Sequence, residues 1–307
     1  MRKMNVLFLG GAKRTTLAEL LQVSCSKYDL ELNIFSYEMS ANVPITDYAT
    51  VIIGLPFRHP NILSHLQKII VENNINICLG FNDDSLYLLP DLNRICFCPS
   101  SSSKLLSIFE DKQQSAVLFQ ALGLNSIPEV TGPPCVVKPK IGSAARNVYN
   151  LKSDRDFKDL INNLEMENYL VQYKLSGPEY SIDCYKFCNY NTYYYCARER
   201  IKTLGGEVIE SKIICLEEID LIAEKILSIP ELSGPLNIQV MWDTKLREFF
   251  VMEVNARFGG GVTISSLAGV PWMNFLLEDY LKIKISEFEI NKNLHVVRSF
   301  RDHIVDY

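Results

Sequence analysis

The chain has 307 residues, 48% of them apolar and 22% charged, which is the composition of an ordinary globular protein with room for two or three compact units. A net charge of −5, from 31 basic and 36 acidic residues, argues against non-specific nucleic-acid binding but allows a local basic pocket. No run approaches the roughly 18 apolar residues of a membrane span, and the apolar run at residues 6–9 is too short for a secretory signal. A cytoplasmic protein with neither membrane nor nucleic-acid partner is expected. Its nine cysteines fit reduced thiols, because Cys96/Cys98 and Cys184/Cys188 have no histidine at ligand spacing.

Residues 1–100 read as a small α/β unit. Strands are expected at 4–9, 30–35, 50–53, 75–79 and 94–98, with helices at 15–27, 62–72 and 84–89 between them. Strands alternating with helices imply a parallel, Rossmann-like sheet. Gly10-Gly11-Ala12 matches neither G-x-G-x-x-G nor a P-loop, so a tight turn is the simpler reading, although such a loop could line a substrate cleft. The serine run after Pro99 marks a boundary or a helix cap. Residues 105–122 carry helical spacing with Asp111-Lys112 inside it, and residues 125–129 lead out as extended chain.

The run Cys135-Val136-Val137 predicts a strand that delivers Lys138 into the small-residue loop Gly142-Ser143-Ala144-Ala145, followed by Arg146. A lysine facing such a loop suits polyphosphate, with a point charge on the oxygens and backbone N–H groups free to approach them. A hairpin with a glycine-containing turn explains the same residues nearly as well. A helix capped by Ser153 is expected over 153–164, and strands at 169–173, 179–185, 193–201 and 207–214. Glu179, Ser181 and Asp183 would share a face on which a carboxylate could accept ribose hydroxyls. Arg198, Arg200 and Lys202 would also share a face, which suits either an anionic substrate or plain solvation. Helices are expected over 217–229 and 272–281.

Two alternating runs, 235–242 and 248–257, flank a polar segment and predict a β-hairpin. If Gln239 faces Glu253 and Asn237 faces Asn255, then Ile238, Val240, Trp242, Phe250, Met252 and Val254 share an apolar face. Asn237, Gln239, Glu253, Asn255 and Arg257 occupy the other. Carboxylate and amide oxygens suit a hard cation such as Mg²⁺, which shares its shell with phosphates, and Arg257 could neutralise a phosphoryl oxygen.

With these pieces in order, the chain resembles the ATP-grasp superfamily, in its carbamoyl-phosphate-synthetase-like branch of carboxylate–amine ligases. The likeness rests on Asp111-Lys112, VVKPKIGSAARNV at 136–148, GPEYSID at 177–183, NIQV at 237–240 and MEVNARFGGG at 252–261. It implies an α/β fold, α+β in its C-terminal part: a Rossmann-like pre-ATP-grasp domain (1–103), then a two-subdomain ATP-grasp domain (104–307). A small lid subdomain would span about 112–175, and a larger one about 176–307. By resemblance, Lys112 and Lys138 hold ATP phosphates, Gly142, Ser143 and Arg146 belong to the mobile lid loop, and Glu179 binds ribose. The adenine would sit by the backbone of Gln172, Tyr173 and Lys174. Many members have Gln-Glu where this chain has Gln172-Tyr173, so a changed pocket wall is expected. Gln239, Glu253 and Asn255 match the metal ligands, with Glu253 bridging two Mg²⁺ ions (Mn²⁺ would also serve). Lys138 and Arg257 match the groups that act on the transferring phosphoryl. The implied reaction joins a small carboxylate to an amine through an acyl phosphate, with release of ADP, and ligases of this kind often form homodimers. Two other functions stay open: an ATP-binding regulatory or scaffold protein without turnover, and a carboxylase- or kinase-type phosphoryl transferase.

Overall fold

The structure, a computed structural model, describes residues 1–142, 146–299 and 301–304. Strand β1 (Arg2–Leu9), helix α1 (Thr15–Lys27), β2 (Leu30–Glu38), β3 (Thr50–Ile53), α2 (Ile62–Glu72) and β4 (Ile77–Gly80) build a parallel sheet in the order β3-β2-β1-β4. The last four residues of β1 are fully buried, as expected of a strand covered on both faces. No strand forms over 94–98. There Phe97 makes a single bridge to Ile77, and the Cys98 N–H donates to Asn93 Oδ1 instead of a neighbouring strand. The single helix expected over 84–89 is two short ones, α3 (Asp83–Leu86) and α4 (Leu89–Leu92). Asn82 caps the first by accepting from Ser85 N (2.9 Å), and Pro90 opens the second, since proline tolerates only a helix's first turn.

The helical stretch that follows is likewise divided, into α5 (Ser103–Glu110) and α6 (Lys112–Ala121). Asp111 leaves the helical conformation between them and its Oδ1 accepts from Gln113 N (2.8 Å) and Gln114 N (3.2 Å), so the residue read as mid-helix is an N-cap. Strands β5 (Cys135–Pro139), β6 (Tyr149–Leu151) and β7 (Tyr169–Tyr173), with α7 (Asp154–Ile161) on Ser153 as its cap, form an antiparallel sheet in the order β6-β5-β7.

The remainder is a six-stranded antiparallel sheet in the order β12-β11-β8-β9-β10-β13, from β8 (Glu179–Lys186), β9 (Tyr193–Leu204), β10 (Glu207–Ile213), β11 (Gly234–Asp243), β12 (Glu248–Asn255) and β13 (His295–Val297). Helices α8 (Glu217–Leu227), α9 (Val262–Leu267) and α10 (Trp272–Leu281) complete it. Helix α9 and strand β13, six and three residues long, are too short to show a period in the sequence. Both hydrophobic clusters draw on the parallel and the six-stranded sheets together: Leu7 and Leu9 lie with Ile182 and Ile238, and Phe8 and Leu21 with Trp272 and Phe275. Cys135, Val137 and Leu170 of the three-stranded sheet are buried but belong to neither.

The hairpin β11–β12 has the expected register at Asn237–Asn255 and Gln239–Glu253, but a bulge next to Gln239 then pairs Val240 with Val251. The extra residue is Met252, which turns to the polar side, while Val251 takes the buried place expected for it. Just upstream, the serine linker is tied down: Ser101 Oγ donates to Ser233 O (3.1 Å) and Ser233 Oγ to Ser100 O (2.6 Å). Gly234 has φ +80°, and a Cβ there would lie 2.3 Å from Pro99 O. Gly234→Ala is therefore expected to cost more than about 1 kcal/mol, read as a lower urea midpoint, because neither the backbone nor the carbonyl can yield.

All nine cysteines are free, and no helix among the described residues is long and apolar enough to cross a membrane.

Candidate active site

Alternation along the strands sorts the polar residues of the six-stranded sheet into rows. Glu253, Gln239, Ser181 and Arg198 face one another across β12, β11, β8 and β9, and Asn255, Asn237 and Asp183 make the next row. Of these, Glu253, Gln239, Arg198, Asn255 and Asn237 line a cleft of ≈ 1120 Å³, large enough for a nucleotide and a second molecule. The three-stranded sheet forms the facing wall with Val136, Lys138, Asn150 and Gln172, and the parallel sheet closes one side with Arg14, Phe81 and Asp83.

The cleft brings together all the expected site residues that the structure describes; Ser143 lies outside the described residues. Lys112 opens α6 and its Nζ donates to Gly142 O (2.8 Å). Its ammonium is held below the ordinary lysine value by burial, against the pull of Glu253 and Asp83. Lys138 is pushed to about 8, first by burial and then by Lys112, with Glu253 opposing. Two desolvated lysines beside one carboxylate, with Lys112 depressing the charge of Lys138, form a site that an anion completes.

Asn255 Nδ2 donates to Glu253 Oε1 (2.9 Å), and Arg257 Nη2 to Asn255 Oδ1 (3.3 Å). Arg257 Nε donates to Asp83 Oδ1 (3.1 Å), which ties the hairpin to the parallel sheet. The oxygen set of Gln239, Glu253 and Asn255 holds one carboxylate and two amides, and no group of three or more His, Cys, Asp or Glu gathers among the described residues. That donor set fits a hard cation whose remaining ligands are phosphate oxygens.

Glu179 sits 3.2 Å from Arg200 Nε. Gln172 is buried at 4% exposure; its Nε2 reaches Ile127 O (3.4 Å) and its Oε1 has no partner among the described residues. The Tyr173 N–H already donates to Pro128 O (2.8 Å), so of this strand's end it is Lys174 and Leu175 whose N–H groups have no backbone partner among the described residues.

On the basic face of β9 Lys202 is exposed, but Arg198 and Arg200 are paired with carboxylates. Arg198 is 1% exposed and bonded to Asp183 (Nε–Oδ2 2.8 Å, Nη2–Oδ1 3.2 Å). Asp183 also accepts from Asn237 (2.8 Å) and Ser265 (2.8 Å), which removes its carboxylate from the ligand-facing set and occupies Asn237 Nδ2. Arg14, Asp83 and Glu207 were not foreseen. Asp83 follows a strand of the parallel sheet and Arg14 closes the turn after β1, positions where open α/β sheets place their ligands, and that rule could have singled them out. The glycine pair itself is packed: a Cβ on Gly10 would lie 2.2 Å from Asn82 Nδ2 and one on Gly11 2.8 Å from Phe8 Cβ. That favours the tight turn over a phosphate contact.

A family model described as ATP-grasp in the biosynthetic pathway with Ter operon matches residues 165–300. No curated protein matches the chain in sequence. Among solved structures, N5-carboxyaminoimidazole synthetase from Staphylococcus aureus complexed with ADP superposes with a TM-score of 0.75 at 13% identity, covering 94% of this chain and 81% of the other. The L-amino acid ligase from Bacillus licheniformis gives 0.68 at 17%, covering 92% and 75%. Biotin carboxylase from Campylobacter jejuni gives 0.73 at 11%, covering 94% and 73%. The chain is thus similar to an ATP-grasp family over residues 165–300, and it shares its fold with these synthetase, ligase and carboxylase structures along nearly its whole length.

Proposed function

We propose that the protein is an ATP-dependent, ADP-forming carboxylate–amine ligase, acting on small molecules in the cytoplasm. The observation that carries this reading is the meeting, in one cleft, of two lysines from the lid side with the Gln239–Glu253–Asn255 oxygen set and Arg257. Similar enzymes whose structures hold ADP or an ATP analogue support the nucleotide assignment. In this reading residues 1–103 form a pre-ATP-grasp domain, and 104–307 the ATP-grasp domain, with a lid of about 112–175 whose three-stranded sheet stands outside the shared core.

The chemistry asks for positioning and charge neutralisation more than for a nucleophile. The acid's carboxylate attacks the γ-phosphoryl in line, giving an acyl phosphate and ADP. An amine then attacks the acyl carbon, phosphate leaves, and the amine's proton goes to solvent. Lys112 and Lys138 hold the phosphates. Arg257, with two N–H groups committed to Asp83 and Asn255, keeps others for the transferring phosphoryl. Gly142, Ser143 and Arg146 cover the nucleotide and exclude water from the acyl phosphate. Glu179 takes the ribose, and the adenine lies against the chain at 172–174. Mg²⁺, as one or two ions on Gln239, Glu253 and Asn255 (or Mn²⁺ in its place), would neutralise the phosphate charge.

Incubating the protein with Mg-ATP and pooled carboxylic and amino acids should release ADP and phosphate with a new amide. ATP binding without turnover would identify a non-catalytic nucleotide-binding protein, and turnover without amide a different phosphoryl transferase. A pH test is also available. The folded Lys138 value of about 8 lies below lysine's ordinary 10.5, so between the two the unfolded chain holds the extra proton and the folded protein gains stability as pH rises. Bound phosphates favour the ammonium and reverse that preference. The melting-temperature rise produced by Mg-ATP should therefore shrink from about pH 7 to about pH 9.5, and Lys138→Met should lessen the shrinkage, Lys112 accounting for what is left. A rise that stays constant in the wild type would contradict Lys138 as a phosphate holder.

A further inference from the structure

We infer that the acid this protein activates carries a second anionic group, carboxylate or phosphoryl, and that Arg14 is the residue that reads it. The inference rests on the ligase reading and names the substrate class of the same cleft.

The cleft extends past Arg257, away from the lysines. There it is bounded by the turn after β1, by Phe81, by residues 259–261 and by Glu207 from the β9–β10 hairpin. Nothing assigned to nucleotide or cation occupies this end. Its floor has no side chains, because a Cβ on Gly260 would fall 2.1 Å from Glu207 Oε2 and one on Gly261 2.5 Å from Arg198 Nη2. A bound group can therefore lie directly on the main chain.

The charges here pair off with one left over. Arg198 faces Asp183 at 2.8 Å, Arg257 faces Asp83 at 3.1 Å, Arg200 faces Glu179 at 3.2 Å and Arg298 faces Glu207 at 3.9 Å. Arg14 has no carboxylate within 4.0 Å and no side-chain hydrogen bond among the described residues, and its guanidinium lies 5.6 Å over the Phe81 ring. Burial holds it below arginine's ordinary range, with Glu207 opposing and Arg257 and Arg298 adding to the effect. A second donor points the same way. Arg198 Nη1 is buried, lines this end of the cleft and donates to nothing among the described residues. An acid with a neutral tail would leave Arg14 and Arg198 Nη1 without an acceptor, which is costly for donors that burial has stripped of water. A tail with its own negative charge meets both.

The test uses α,ω-dicarboxylic acids of about three to six carbons, each beside its own mono-amide and the phosphonocarboxylate of similar length. Binding is measured calorimetrically to the full chain saturated with Mg²⁺ and a non-hydrolysable ATP analogue. The expected result is that at least one dianion binds ten or more times tighter than its mono-amide, about 1.4 kcal/mol. Arg14→Gln should erase that ratio, and Arg14→Lys should keep part of it. Mono-amides that bind equally, dianions that do not bind, or an Arg14→Gln protein that keeps the ratio would each overturn the proposal. A phosphonate that outbinds every dicarboxylate makes the second group phosphoryl. The same mixtures, given ATP and pooled amines, separate the two claims. An Arg14-dependent preference without ADP release upholds the anion site and removes the ligase reading, whereas ADP release driven equally by mono-amides does the reverse.

Discussion

Replacing Glu253 by Gln is expected to lower ADP-forming turnover about a thousandfold, on the order of 4 kcal/mol of transition-state stabilisation, while the fold stays intact. The substitution keeps shape and one oxygen, so the hydrogen bond from Asn255 Nδ2 can persist. Its strand neighbours Val251 and Val254, at 2% and 3% exposure, keep their packing. What is lost is charge. Glu253 is the one carboxylate of the proposed cation ligands, and it also supports the ammonium groups of Lys112 and Lys138 against desolvation. Without it the cation would rest on two amides and the phosphates, and both lysines would lose their protons more readily. ADP release measured beside thermal melting checks this directly. Wild-type turnover in a well-folded Glu253→Gln protein would end the role given to this residue.

The hairpin was the most legible part of the chain, because strand alternation with one polar face fixes a register: Gln239 opposite Glu253, Asn237 opposite Asn255. The bulge that moves Met252 across was not legible, since one inserted residue leaves both flanking patterns intact. Helix α6 was read through its own cap for a similar reason: the apolar spacing of 105–122 continues across Asp111, and only the side-chain bonds to Gln113 and Gln114 reveal the break. Contacts between sheets were beyond reach. Arg257 and Asp83 meet across 174 positions, and no local period encodes such a pair. Arg198 shows the limit most clearly. Three basic residues at alternate positions suggest a charged face, but which of them is buried depends on Asp183 from the neighbouring strand, and the pairing is a tertiary fact.

That buried pair carries the largest expected effect on stability. Asp183→Ala should destabilise the protein by about 3–5 kcal/mol, because removing one partner leaves the other charged and unsatisfied in the interior. Asp183 and Arg198 are both 1% exposed on their side chains, and the carboxylate accepts from Arg198 twice, from Asn237 and from Ser265. Ser265 in turn accepts from Trp272 Nε1 (2.9 Å), so the network reaches from the cleft floor into α10, which packs on α1. Asp183→Asn should cost less, since the amide oxygen keeps part of the bonding but forfeits the charge. Glu179→Ala supplies the contrast. Glu179 pairs with an arginine too, but its side chain is 37% exposed, so the stability change should stay within about 1 kcal/mol. Urea midpoints for the three variants give the ordering Asp183→Ala, Asp183→Asn, Glu179→Ala. If Asp183→Ala proved no more destabilising than Glu179→Ala, the cleft floor would be held by something other than this ion pair. Arg198 would then lose its place as a fixed donor for the substrate.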